Sequence, residues 1–95
     1  MDNDNSPRRI PCLTSLYEEY LENQDTSTFI SRITEYYTQG TLQRLAECDT
    51  PEVRRAAVLA LGFLADYDAN HSLGRALHDK DRTARTIAEN GIKNI

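Results

Sequence analysis

Two arginines at matching positions, Arg54 and Arg85, are the side chains in this sequence best suited to recognise an anion. A planar guanidinium binds phosphate or carboxylate through two parallel hydrogen bonds, so a ladder of such groups suits either ligand. Acids such as Asp49 and Asp79 stand nearby in the chain, and we expect the arginines to bridge to them structurally. Other arginines lie among acids and predict a mixed, solvated face rather than a nucleic-acid track: Arg55, Arg75 and Arg82.

Two histidines and two cysteines are the remaining candidates for metal binding or nucleophilic chemistry. His71 and His78 lie about two helical turns apart, without the further ligands that a metal site needs. Cys12 and Cys48 have no His or Lys partner in a motif that would lower a thiol pKa, so we interpret both as passive. The sequence also contains no Gly-x-Ser-x-Gly and no phosphate-cradling glycine loop. It therefore predicts no enzyme and no cofactor.

Composition limits the chain to one small domain. Of its 95 residues 39% are hydrophobic and 27% charged, and the net charge is −4, values typical of a soluble fold rather than a disordered or membrane-embedded chain. Residues 1–40 hold seven acids and three bases, whereas residues 41–95 hold eight of each. Without a basic surplus we do not expect nucleic acid or a membrane as partner. Because no secretory signal or membrane span is apparent, we expect a cytoplasmic protein.

The first forty residues predict a flexible lead followed by two helices. Residues 1–13 show neither helical nor strand periodicity. Within residues 14–40, the first helix begins with a capping box that starts at Ser15, and the second is capped near Asp25 and ends at Gly40. The tyrosines of these helices would suit a partner contact, but packing explains them at least as well: Tyr17, Tyr20, Tyr36 and Tyr37.

Residues 41–95 predict alternating short and long helices. Residues 50–52 combine a hydroxyl N-cap, a proline at the first helical position and an acid in the first turn. Residues 56–65 contain no polar side chain, so neighbouring helices must cover this helix on several sides. Residues 66–68 then break the helix, and Asp81 caps a second long helix after a shorter one. We expect its inward-facing residues to be Ala84, Ile87, Ala88, Ile92 and Ile95.

This second half also contains an internal repeat, which is seen when the chain is shifted so that Leu42 falls on Leu73. We call this shift the repeat period. It superposes further identical pairs, which are Arg44 and Arg75, Arg54 and Arg85, and Ala57 and Ala88. The proposed caps, Thr50 and Asp81, coincide as well. Periods of about this length are typical of helical solenoids.

The order of these parts resembles the short HEAT-like repeats named after phycobilisome lyases. The resemblance covers residues 41–95 and rests on Val-Arg-Arg-Ala-Ala at 53–57, Ala-Leu-Gly at 60–62 and an aspartate at 66. The second copy departs from the pattern, since Ala-Arg-Thr stands at 84–86 and Asn-Gly at 90–91 interrupts its helix.

The resemblance implies an all-α fold, an α–α superhelix of about two repeats. The helix pair of residues 14–40 would then be its N-terminal cap, and the end at Ile95 indicates a longer parent protein. An open flank of Ile87, Ile92 and Ile95 predicts that the isolated chain self-associates.

For function, the resemblance implies a non-catalytic scaffold module that binds another protein. In this family the longer helix of each repeat lines the concave surface, which predicts five contact residues: Arg55, Leu59, Thr86, Asn90 and Lys93. Leu59 is the most informative, because an apolar residue on the outer stripe must be covered by a neighbour or a partner.

Two alternative functions stay open. One is an accessory subunit of a bilin lyase or a related modifying enzyme, which the resemblance permits. The other is nucleic-acid binding, by analogy with DNA-repair glycosylases that use HEAT-like solenoids. Deoxyhypusine hydroxylases share the resemblance and hold iron through His-Glu pairs, but Ser72 follows His71 here and Asp79 follows His78, so we assign no metal ligand.

Overall fold

The computed structural model describes residues 11–64 and 67–93, except for the side chains of residues 67–69. Within these residues it contains six helices and no strand, which confirms the prediction of an all-α fold for them. In chain order the helices are α1 (Leu13–Asn23), α2 (Thr26–Tyr36), α3 (Gln39–Leu45), α4 (Pro51–Leu64), α5 (Tyr67–Ala76) and α6 (Arg82–Lys93).

Helix α4 lies at the centre and packs against each of the other five helices. It begins at Pro51, as predicted, and the carbonyl of Thr50 accepts its first backbone hydrogen bond from Arg54. Its small and apolar side chains let neighbours approach closely, and they form much of the core: Ala56, Ala57, Val58, Ala60 and Leu61. The prediction that this helix is covered on several sides is confirmed.

The N-terminal pair begins earlier than predicted. Helix α1 starts at Leu13 rather than Ser15, because Leu13 is buried in the core and the carbonyl of Cys12 accepts hydrogen bonds from the next turn. The capping box at Ser15 is therefore wrong. Most of the predicted flexible lead, residues 1–10, lies outside the described residues, but Pro11 is tied down by a 2.6 Å hydrogen bond that its carbonyl accepts from the Tyr37 hydroxyl.

The start of α2 is confirmed and its end is not. Asp25 caps the helix by accepting hydrogen bonds from the backbone N–H and the hydroxyl of Thr28, at 3.2 and 2.8 Å. The helix ends at Tyr36, where the chain turns extended, and Gly40 lies inside α3. The reason is a second cap, since the Thr38 hydroxyl accepts from the backbone N–H of Thr41 and starts α3 before the glycine.

Helices α1 and α2 are fastened to α4 by an aromatic cluster. The ring centroids of Tyr20, Phe29 and Phe63 lie 5.3 to 6.0 Å apart in tilted and edge-on arrangements. Such pairs contribute beyond simple area burial. Tyr17 is also buried, so the structure supports packing as the role of these two tyrosines of α1.

The C-terminal helices confirm one cap and correct two other predictions. Asp81 caps α6 by accepting a 2.9 Å hydrogen bond from the backbone N–H of Ala84. The interruption at residues 90–91 is wrong, because α6 continues to Lys93 with Gly91 buried against α4. Residues 67 and 68 lie in α5 rather than in a break, and residue 66 is outside the described part of the chain.

The predicted inward face of α6 is correct at Ala84 and Ala88, which are fully buried, and Ile87 is half-buried. Ile92 is the exception, with 37% of its surface exposed. Ile95 lies outside the described residues. Within the described ranges, none of the helices has the length and apolar character needed to cross a bilayer.

Candidate functional site

The guanidinium of Arg54 is fully occupied inside the protein. Its Nε and Nη2 donate to the two carboxylate oxygens of Asp79, at 2.8 and 3.0 Å, and its Nη1 donates to the carbonyls of Cys48 and Asp49. Both partners of the ion pair are 7% exposed. Hydrogen bonding from Arg54 lowers the pKa of the Asp79 carboxyl. The structural bridge expected for this arginine is confirmed with Asp79, whereas Asp49 contributes its backbone.

Arg85 repeats only part of this arrangement. Its Nη1 donates a 2.7 Å hydrogen bond to the carbonyl of Asp79, which stands one repeat period after Cys48. Among the described residues, no carboxylate forms an ion pair with Arg85. The two arginines thus brace equivalent turns, but Arg85 lacks the acidic partner that Arg54 has.

Arg55, the first predicted contact residue, is bound to Asp81. Its Nε and Nη2 each donate a 2.8 Å hydrogen bond to one carboxylate oxygen of Asp81, which also caps α6. These hydrogen bonds lower the pKa of the Asp81 carboxyl to about 2. Arg55 therefore joins α4 to the start of α6, and its charge is compensated within the chain.

Two of the predicted contact residues, Leu59 and Asn90, meet in a shallow groove between α4 and α6. The groove has a volume of about 70 Å³, and its other lining residues are Gly62, Phe63, Ile87 and Gly91. Leu59 is half-buried against the core, so neighbouring side chains cover part of its surface. Among the described lining residues, Asn90 supplies the polar side chain.

The other two contact candidates do not line this groove. Thr86 and Lys93 are both exposed on α6, and the Thr86 hydroxyl donates to the carbonyl of Arg82. The sequence did not indicate Phe63 as a groove residue, and it placed Ile87 on the inward face and the open flank of α6 rather than in this groove. Helical spacing could have indicated them, because Phe63 follows Leu59 by about one turn of α4 and Ile87 precedes Asn90 by about one turn of α6. Only the packing of α4 on α6 shows that all four residues share one surface.

A larger cavity, of about 510 Å³, lies between the turn after α3 and the last turn of α5. Glu47 and Arg75 form an exposed 2.6 Å ion pair at its wall, and the Arg54–Asp79 pair lies at its base. Lining charges of both signs are largely paired with each other, so the cavity presents no strong field to a charged ligand. None of the five predicted contact residues lines it.

The thiols and histidines give no catalytic arrangement in the described part of the chain. No cluster of three potential metal ligands is found in residues 11–64 and 67–93. Cys12 is exposed, and its hydrogen bond with the Thr14 hydroxyl, 3.0 Å between Sγ and Oγ1, lowers its pKa. Cys48 is half-buried and donates its S–H to the carbonyl of Thr50.

No family model matches this chain, and searches of curated proteins and of solved structures give no significant match.

Proposed function

We propose that the chain is a non-catalytic protein-interaction module built from two HEAT-like helical repeats, with α1 and α2 as its N-terminal cap. In this proposal α3 and α4 form the first repeat, α5 and α6 form the second, and the groove between α4 and α6 binds a partner polypeptide.

The observation that carries the proposal is the repeated contact of the two arginines. Arg54 donates to the carbonyl of Cys48, and Arg85 donates to the carbonyl of Asp79. The two donors are one repeat period apart in the sequence, and so are the two acceptors. A contact that recurs with the sequence period supports two equivalent helical hairpins, as expected for a solenoid.

The groove suits a short apolar segment of a partner. Leu59, Phe63 and Ile87 offer partly exposed apolar surface, and the Asn90 amide can donate to and accept from a partner backbone at the edge. A volume of about 70 Å³ is well below the roughly 300 Å³ or more typical of small-molecule and cofactor sites. We therefore favour a protein ligand that inserts one or two side chains.

The test compares proteins captured from native-host extract by the wild-type chain and by two variants. Asn90→Lys places a long charged side chain at the groove, where Asn90 is exposed and its replacement should not disturb folding. Ser31→Lys makes the same change of charge on the exposed face of α2 and is the matched control. Each capture is run with and without nuclease and quantified by mass spectrometry.

The proposal expects a defined protein that survives nuclease, is retained by the wild type and by Ser31→Lys, and is lost with Asn90→Lys. Capture that is equal for all three chains would place the binding site elsewhere and contradict the groove assignment. Loss of all bound protein on nuclease treatment would instead favour nucleic acid as the ligand.

A further inference from the structure

The outer side of α5 and α6 is the counterpart of a surface that is buried one repeat earlier. Leu61 of α4 is fully buried, whereas Ile92, one repeat period later, is 37% exposed. Ala46, after α3, is 6% exposed, whereas the equivalent Leu77 is 36% exposed. Among the described residues, both positions are therefore buried in the first hairpin and exposed in the second.

The same surface contains an arginine without its carboxylate. Arg54 is covered by the turn between α5 and α6, whose Asp79 binds its Nε and Nη2. Arg85 makes the matching carbonyl contact through Nη1, but none of the hydrogen bonds among the described residues uses its Nε or Nη2. Among the described residues, the bidentate edge of this guanidinium therefore lacks the carboxylate that Asp79 supplies to Arg54.

A third position shows how the two surfaces differ. Val58 is fully buried, and its counterpart on α6, one repeat period later, is the exposed Glu89. A helix that covered Glu89 would have to offer it a basic side chain, because a buried unpaired carboxylate is costly. A complementary partner therefore needs an acidic side chain opposite Arg85 and a basic side chain opposite Glu89.

We propose that this end surface, formed by Leu77, Arg85, Glu89 and Ile92, docks an α-helical hairpin of another protein that carries an aspartate in its interhelical turn. The aspartate pairs with Arg85 as Asp79 pairs with Arg54, and apolar residues of the hairpin cover Leu77 and Ile92. None of these four residues lines the α4–α6 groove, so this proposal does not depend on the function proposed for that groove.

The test supplies such a hairpin from the chain itself. A copy of residues 65–95 is appended after Ile95, which places a second copy of Asp79 one repeat period after the first. The tether gives the hairpin a high effective concentration at the end surface. The extended chain is made with Glu89 and also with Glu89→Val, which reproduces Val58 of the buried surface.

Helical content by circular dichroism and the midpoint of thermal unfolding are measured for both extended chains and for the original chain. Docking predicts one cooperative transition at a higher midpoint, with added helix. It also predicts that Arg85→Ala in the original part is coupled to Asp79→Ala in the appended copy. Together the two substitutions should change the unfolding equilibrium by a factor that differs roughly tenfold from the product of their separate effects. The coupling of Arg54 and Asp79 in the original chain is the reference.

An appended segment that stays unfolded in both extended chains would overturn the proposal, as would a folded hairpin with no coupling to Arg85. Sedimentation of the original chain tests the alternative occupant. If the original chain is a dimer and Ile92→Lys converts it to a monomer, a second copy of this chain covers the surface. That result would overturn the assignment to a hairpin of another protein.

Discussion

Gly62 of α4 and Gly91 of α6 lie back to back, and a Cβ built on Gly62 would lie 3.0 Å from the Cα of Gly91. A Cβ on Gly91 would likewise lie 3.0 Å from the Cα of Gly62. The obstructing atoms belong to helix backbones, which cannot rotate away as a side chain can. Helix α4 packs more extensively against α6 than against any other helix, so this contact sets the spacing at the core of the fold.

We predict that Gly62→Ala and Gly91→Ala each destabilise the protein. Replacing glycine by alanine inside a helix gains about 1 kcal/mol of helix propensity. Forcing two tightly packed helices apart costs about 1 to 3 kcal/mol, so we expect a net loss of about 1 kcal/mol in the free energy of unfolding measured with urea. Equal or higher stability of both variants would show that the two helices separate without strain.

Gly74→Ala is predicted to have the opposite sign. Gly74 lies inside α5, and a Cβ built on it would meet no heavy atom within 4 Å. The helix-propensity gain is then unopposed, so we expect a rise of about 0.5 to 1 kcal/mol in the free energy of unfolding. This variant is also the matched control for the Gly62 and Gly91 substitutions, because the chemical change is identical.

Breaking the Arg54–Asp79 pair is predicted to be the most damaging single change. Asp79→Asn would leave the guanidinium of Arg54 buried without its counter-charge, which costs about 3 to 5 kcal/mol in comparable buried pairs. Arg54→Lys should also lower the free energy of unfolding. A lysine ammonium cannot bind the Asp79 carboxylate bidentately and donate to the carbonyls of Cys48 and Asp49 at the same time. The midpoint of urea unfolding measures both.

The exposed pair of Arg75 and Glu47 is the control for that prediction. Its side chains are 58% and 45% exposed, and surface pairs contribute about 0 to 1 kcal/mol. Glu47→Gln should therefore hardly change the urea midpoint. Comparable losses for Glu47→Gln and Asp79→Asn would contradict the importance that we assign to burial.

Stability is predicted to fall in acid through Asp81. Its pKa is about 2 in the folded protein, where Arg55 holds the carboxylate, and about 3.9 in an unfolded chain. The lowered pKa stabilises the fold at pH values above the unfolded pKa, by about 2 to 3 kcal/mol, and this contribution is lost as the pH falls from about 5 to 1. The difference in unfolding free energy between wild type and Asp81→Asn should accordingly be largest near pH 6 and be much smaller at pH 2.

Cys12 is predicted to be the more reactive thiol at neutral pH. It is exposed, and its hydrogen bond with Thr14 lowers its pKa, whereas Cys48 is half-buried. Because the thiolate is the nucleophile, Cys12 should react faster with a disulfide reagent such as DTNB. Thr14→Val in a Cys48→Ser background should slow the reaction. An unchanged rate would show that exposure alone, and not the hydrogen bond, governs this thiol.

The local features of the fold were predictable from the sequence. The caps at Asp25 and Asp81 and the start of α4 at Pro51 depend on contacts within about four residues, so neighbouring residue types suffice to predict them. Errors at Ser15 and Gly40 arose where another residue close by competed for the same role. Helix α1 begins at Leu13 because this residue is buried in the core, and α3 begins before Gly40 because Thr38 caps it.

The candidate sites were predictable only in part. The sequence placed Leu59 and Asn90 on equivalent positions of two helices, but their common groove exists because α4 packs closely on α6 through two glycines. It assigned Arg55 to a free contact surface, whereas the fold brings Asp81 within hydrogen-bonding distance. Both outcomes depend on residues that are far apart in the chain meeting in space.

The sequence by itself determined that this chain forms helices, where α2, α4 and α6 begin, and that α4 must be surrounded. These properties follow from periodicity and capping, which are local. Only the tertiary structure decided that Gly91 continues α6 instead of interrupting it, that Asp79 rather than Asp49 supplies the carboxylate of Arg54, that no described carboxylate pairs with Arg85, and that Ile92 stays exposed. Each of these depends on which helices pack against each other. Contacts between residues that are far apart in the chain cannot be predicted from any short stretch of sequence.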